Sequence, residues 1–103
     1  MNYIKNHTFV LVGRMGYPRY VVRKEIHQRG GRVTAKVTAS TDYLVCGVIH
    51  ADDKHANQQK GQLEYATRLQ KAGRGIQIMW PHDLFTMFAD TDEKNRLSQE
   101  GKT

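Results

Sequence analysis

The sequence predicts a single α/β domain built on a mainly parallel β-sheet. Three observations support this fold class. Candidate strands and helices alternate in the order β-α-β-β-α-β-α. The first apolar run, Thr8–Val12, is continuous, which is typical of a strand covered on both faces. The 103 residues fit one domain, and the chain shows no internal repeat or linker.

The first strand and the first helix follow directly from local patterns. The strand ends at Gly13, and the helix is predicted over residues 19–29. Pro18 suits the start of that helix, because its missing N–H costs nothing in a first turn. Val22 and Ile26 recur four residues apart and define the inward face.

The glycines that follow end the helix and lead into the next strands. Glycine accepts the left-handed geometry of a helix C-cap, so Gly30 and Gly31 are predicted to be structural. A weak second strand is predicted at residues 32–34. A turn at residues 40–42 then leads into a third strand, Tyr43–Cys46.

The second half of the chain contains two more helices and one strand. A polar loop follows the third strand, and a second helix is predicted from about residue 60 to Ala72. The fourth strand is Ile76–Met79. Trp80 is expected to be a structural core or helix-edge anchor, and Pro81 to start the third helix.

The last residues differ in composition from the rest of the chain. Residues 89–103 are polar and contain one leucine, so we expect a disordered tail after a folded domain at residues 1–88. The net charge is +6. Residues 1–88 hold 13 Lys and Arg against 6 Asp and Glu, so the basic excess belongs to the domain. Such a field attracts phosphates, acidic partners or anionic lipid.

Several function classes are not supported. A lone cysteine excludes an internal disulfide, no apolar run has the length of a membrane span, and no signal segment begins the chain. We therefore expect an intracellular protein without a membrane partner. Cys46 ends an apolar run and is expected to be inert, and the loop at residues 50–55 lacks metal-ligand spacing. We predict no enzyme, cofactor or metal.

Several segments together resemble the BRCT family of DNA repair and replication proteins. The resemblance covers about residues 6–88 and is closest to the single BRCT domains of NAD-dependent DNA ligases and of the replication factor C large subunit. It implies a four-stranded parallel sheet with two helices on one face and one on the other. The segments that carry it are residues 9–13, 26–33, 41–47, 63–66 and 75–79, and the helix containing Phe85.

The resemblance also implies where a phosphate would bind. BRCT proteins that bind phosphate use a Ser or Thr hydroxyl, the N–H of the glycine after it, and a Lys at the start of the second helix. The glycine corresponds to Gly13, but Val12 and Gln62 occupy the other two positions. Valine has no donor and glutamine has no charge, so phosphopeptide binding is disfavoured.

A basic first helix favours DNA binding instead. In the replication factor C relatives the corresponding helix is basic, and the domain binds duplex DNA with a 5′-phosphate. We expect DNA ends or nicks to contact Gly13 and five basic residues. These are Arg14, Arg19, Arg23, Lys24 and Lys60. Arg29 adds to the basic cluster of this helix.

Two alternatives remain open at this stage. The basic residues can form an ordinary solvated helix face. The chain can also be a protein-interaction module, a monomer or weak homodimer that binds replication or repair proteins. That second alternative expects an exposed apolar patch on the first and third helices that includes Leu84, Met87 and Phe88.

Overall fold

The computed structural model describes residues 4–100. Its seven elements follow the predicted order. They are β1 (Thr8–Val12), α1 (Arg19–Gln28), β2 (Arg32–Val33), β3 (Tyr43–Cys46), α2 (Ala56–Lys71), β4 (Gln77–Met79) and α3 (Pro81–Glu100). None of the helices in this range combines the length and the apolar character that a membrane span requires.

The four strands form one parallel sheet in the order β2-β1-β3-β4. The two central strands are β1 and β3, with Phe9 opposite Tyr43 and Val12 opposite Cys46. Their side chains point alternately to the two faces, and both faces are covered. The continuous apolar run of β1 therefore has the environment that its composition predicts.

The two faces carry different helices. Phe9 and Leu11 pack on the face covered by α1 and α3, where Ile26 and Leu84 are fully buried. Val10 and Val12 pack on the opposite face with Ala66 of α2. The predicted α/β class, with two helices on one face and one on the other, is confirmed.

Two helices are longer than predicted. The first turn of α2 begins at Ala56, which is buried, although the prediction began near residue 60. The third helix continues to Glu100, so the expected disorder of residues 89–100 is wrong. The predicted boundary after residue 88 falls inside α3, and the last three residues of the expected tail, 101–103, lie outside the described residues.

The end of α1 shows why two glycines stand together. Gly30 has a φ of +86°, and the Gly31 N–H donates to the Ile26 carbonyl at 3.0 Å, which closes the last turn. A Cβ on Gly31 would lie 2.6 Å from Ile26 Cγ2 and 3.0 Å from Ile4 Cγ2. Gly31 is therefore required by packing, since no side chain fits between the helix end and residue 4.

This packing predicts opposite effects of the same substitution at two glycines. Gly31→Ala should lower the free energy of unfolding by about 1–3 kcal/mol, because the new methyl group overlaps buried side chains. Gly61→Ala is the matched control, since Gly61 lies within α2 with open space around it. Gly61→Ala should raise the free energy of unfolding by about 0.5–1 kcal/mol. Urea denaturation measures both, and effects of equal sign would contradict the steric explanation.

Candidate anion-binding groove

The candidate site lies at the carboxyl edge of the sheet. In parallel α/β sheets, ligand sites form where strands end and the following helices begin. Here β1 ends at Val12 and α1 begins at Arg19, while β3 ends at Cys46 and α2 begins at Ala56. The positive ends of two helix dipoles are therefore on the same edge.

The loops after β1 and β3 cross in direct backbone contact. The Arg14 N–H donates to the Val48 carbonyl at 2.9 Å. A Cβ on Gly13 would lie 2.5 Å from the Gly47 carbonyl oxygen, and a Cβ on Gly47 would overlap the Arg14 carbonyl oxygen. Gly13 also has a φ of +75°. The N–H groups after Gly13 were expected to hold a terminal phosphate. The first of them, the Arg14 N–H, is already bonded within the protein.

Arg19 holds the end of β1. Its Nη1 donates to the Leu11 carbonyl at 2.6 Å, and its Nη2 donates to the Gly13 carbonyl at 2.9 Å. The second strand has only two residues, so the Leu11 carbonyl lies beyond the reach of β2 pairing, and the guanidinium satisfies it. A guanidinium has five N–H donors, so the two bonds leave others for a ligand.

Two adjoining cavities, of about 240 and 210 Å³, form a groove on both sides of Arg19. We call it the Arg19 groove. Among the residues that the structure describes, none with an acidic side chain lines either cavity. The lining residues are Leu11, Val12, Arg19, Arg23, Val33, Thr34, Ala35, His55, Gln58, Gln59 and Gln62. Since its charged side chains are arginines, the groove is suited to an anion.

Two glutamines of α2 define the polar wall of this groove. The Gln62 Oε1 accepts a hydrogen bond from the Val37 N–H at 2.7 Å, which holds the loop between β2 and β3 against α2. Gln62 therefore has a structural use at the position where the resemblance places a lysine. The Gln59 Oε1 is buried and has no hydrogen-bond partner within the part of the chain that the structure describes. A donor from a ligand or from water would satisfy it.

The other three predicted cations do not line the groove. Arg14 is exposed where the two loops cross. Lys24 and Lys60 are exposed but lie outside the residues that line the groove. Lys60 is instead one helical turn from Leu63, on the side of α2 that faces β4. The structure thus brings Arg19 and Arg23 together with Gly13 and leaves both lysines apart.

Arg29 is half-buried, and its charge is paired with carboxylates instead of contributing to an open basic surface. It forms ion pairs with Glu25 and Asp92, each at 2.7 Å, and its guanidinium lies 4.4 Å from the centre of the Phe88 ring. Burial of the guanidinium opposes its ionisation, but the hydrogen bonds with Asp92 and Glu25 outweigh this and raise the pKa of Arg29. Its expected contribution to the basic cluster is therefore wrong.

The structure differs from the prediction at three apolar residues. Trp80, expected as a core or helix-edge anchor, stands directly before α3 but is 64% exposed, so its expected place in the core is wrong. Leu84 and Met87, which the interaction-module alternative placed in an exposed patch, are both buried in the core beneath α3. Phe88 is partly buried and packs against the same core. The exposed aromatic surface lies elsewhere, at Trp80 and on the tyrosines that precede and begin α1.

Cys46 and the His and Asp residues of the loop that follows it are the other chemistry-bearing residues considered in the sequence. Within residues 4–100, no three His, Cys, Asp or Glu side chains are placed to hold a metal ion. Cys46 is half-buried, and burial raises the pKa of its thiol above its ordinary value. A thiol that resists ionisation is a poor nucleophile at neutral pH.

Comparison with known proteins finds a similarity that covers part of the chain. No family model matches the sequence. One curated protein, a DNA ligase of Thermodesulfovibrio yellowstonii, is 41% identical over 44 residues. The match covers 43% of this chain and 7% of the ligase. The chain is thus similar to a small part of a DNA ligase, in addition to having a cationic groove on a parallel α/β fold.

The Arg29 contacts predict a measurable loss of stability. Arg29→Ala should lower the free energy of unfolding by about 1–3 kcal/mol, because it leaves Glu25 and Asp92 without their partner and exposes Phe88. Arg29→Lys should recover only part of this, since an ammonium cannot form the two-point contact with Asp92. The exposed Arg74 is the control, and Arg74→Ala should change stability by less than about 0.5 kcal/mol. Equal urea midpoints for the two alanine variants would contradict this role.

Proposed function

We propose that this chain is a non-catalytic DNA-binding module of DNA replication or repair, similar to BRCT domains, that binds the phosphates of DNA ends or nicks in the Arg19 groove. The observation that carries the proposal is a groove with two arginines and no carboxylate at the carboxyl edge of a parallel sheet. The partial similarity to a DNA ligase supports the same context.

The chemistry of the groove suits a phosphate backbone. Arg19 and Arg23 are neighbours four residues apart on α1, about 6 Å along the helix axis. Two like charges at this spacing repel each other, and an anion between them relieves the repulsion. Binding to such charges releases counterions from DNA and is therefore insensitive to base sequence.

The same residues argue against a phosphopeptide ligand. Val12 supplies no hydroxyl, and the side-chain Oε1 of Gln62 accepts a backbone N–H, so neither position provides a charged donor. The positive charge of the groove comes instead from two arginines, Arg19 and Arg23. Two charges in a row suit a polymer with many phosphates better than a single phosphorylated side chain.

A second candidate function rests on the surface between α1 and α3. A cavity of about 330 Å³ lies there, lined by Tyr17, Phe85 and Phe88 among others, and Tyr17 is 62% exposed. This surface suits a protein partner, including a second copy of the chain. Light scattering separates the alternatives, because a stable dimer at micromolar concentration favours interaction and a monomer that binds DNA favours the first proposal.

Charge reversal in the groove should weaken DNA binding. Arg23→Glu should lower the affinity for duplex DNA at low salt about tenfold or more, equally for unrelated sequences. Arg23 is chosen over Arg19 because both line the groove but Arg19 also carries the hydrogen bonds that hold the end of β1. A change at Arg19 would therefore affect the fold as well as binding. Arg74→Glu is the charge-matched control. Arg74 precedes β4, which is the outer strand on the side of the sheet away from β2 and the groove. Fluorescence anisotropy with labelled duplex measures both.

The same titration should be run with and without a 5′-phosphate and at two salt concentrations. We expect affinity to fall steeply as salt rises, and the phosphorylated end to bind more tightly. Negligible binding of both duplexes at low salt would remove the proposal. An equal loss in the Arg23 and Arg74 variants would show that overall charge, and not the groove, is responsible.

A further inference from the structure

Trp80 forms one wall of a small apolar cavity that opens at the surface. The cavity measures about 180 Å³, and its other lining residues are Cys46, Leu63, Ile78 and Met79. Trp80 itself is 64% exposed, the second most exposed of the large apolar side chains in the described residues. An indole left in water beside an open apolar cavity forgoes the stabilisation that burial would provide. We call this feature the Trp80 cavity.

The position of Trp80 is fixed by the backbone around it. Its backbone N–H donates to the Asp83 Oδ2 at 3.0 Å, and Pro81 begins α3 immediately after it. Proline restricts its own φ and the conformation of the residue before it. The indole is therefore presented from a constrained segment, which lowers the entropic cost of binding a ligand against it.

The strand register relates the Trp80 cavity to the Arg19 groove. Val45 pairs with Met79, so the next residues, Cys46 and Trp80, are level with each other, and Cys46 pairs with Val12 at the end of β1. With neighbouring strands about 4.8 Å apart, the Trp80 backbone lies about 10 Å from Val12. The Trp80 cavity and the part of the Arg19 groove that Gln62 lines are both next to α2, since Leu63 lines the Trp80 cavity.

Two exposed cations belong to segments that adjoin the Trp80 cavity. Lys60 is exposed one helical turn from Leu63. Arg14 is exposed where the loop after Cys46 crosses the loop after β1. The same surroundings contain two acidic residues, since Asp83 accepts the backbone N–H of Trp80 and Glu64 is exposed next to Leu63. An exposed aromatic ring among cations is the combination that binds single-stranded nucleic acid, because bases stack on the ring and phosphates contact the cations.

We propose that the Trp80 cavity takes an unpaired base of the DNA strand whose phosphates lie in the Arg19 groove. This inference rests on the proposed function and names its ligand more closely. The preferred DNA then has a short single-stranded extension at its end, and a fully paired blunt end leaves the cavity empty. The occupant is a nucleobase because it is flat, aromatic and attached to a polyanion, which matches the apolar cavity and the cations beside it.

The experiment uses the single tryptophan of the chain as its own reporter. The 103-residue protein is titrated with a blunt duplex and with the same duplex carrying an oligothymidine extension, and both anisotropy and tryptophan fluorescence are recorded. We expect the extended duplex to bind about tenfold more tightly and to quench the fluorescence, with little quenching by the blunt duplex. Trp80→Ala should remove the advantage of the extension and leave the blunt affinity unchanged, and Trp80→Phe should keep part of it.

Tyr65→Ala is the matched control. Tyr65 is exposed on α2 but lines neither the groove nor the Trp80 cavity, so its removal should not change the ratio of the two affinities. Equal affinity for both duplexes without quenching would overturn the inference and leave the DNA-binding proposal standing. An equal loss for both duplexes in Trp80→Ala would also overturn it. Absence of binding by either duplex would remove the proposed function, and the inference with it.

Discussion

The close backbone contact between Gly13 and Gly47 is the constraint on which the site depends. The two central strands leave the sheet side by side, and their loops cross at a separation that admits no Cβ on either glycine. The crossing is closed by the hydrogen bond from the Arg14 N–H to the Val48 carbonyl. It sets the direction in which the chain leaves β1 toward α1, and so determines where Arg19 begins the helix.

The arginines near α1 divide into two groups that the net charge does not distinguish. Arg29 is enclosed by Glu25, Asp92 and Phe88, where its charge is balanced and its guanidinium joins α1 to α3. Arg19 and Arg23 line the groove without a carboxylate beside them. The positive surface is therefore smaller and more localised than the composition indicates. It is also more rigid, because Arg19 is held by two carbonyls.

Local patterns in the sequence were sufficient for the strands and for α1, since each rests on periodicity or on a glycine with a backbone reason. The layer order was expected only from the resemblance to BRCT domains. Local patterns were insufficient where a contact joins distant residues. The extension of α3 is supported by Asp92, whose partner Arg29 lies 63 residues away. The first turn of α2 has one buried alanine followed by polar residues, and Gln59 faces the groove, so no apolar period marks that turn. The exposure of Trp80 depends on the strand register at the sheet edge, which no local pattern encodes.

The residues Val12 and Gln62 and the presence of Arg19 are parts of one arrangement. At the positions where the resemblance to BRCT domains places a hydroxyl and a lysine, this chain has Val12 and Gln62, and Gln62 supports the loop after β2. That strand has only two residues, so the Leu11 carbonyl beyond it needs another donor, and Arg19 supplies it. A guanidinium already ordered by the backbone loses little further freedom when an anion binds. The groove therefore replaces directional neutral donors with a charge held in place, which supports binding to a repeating phosphate polymer over recognition of one phosphorylated residue.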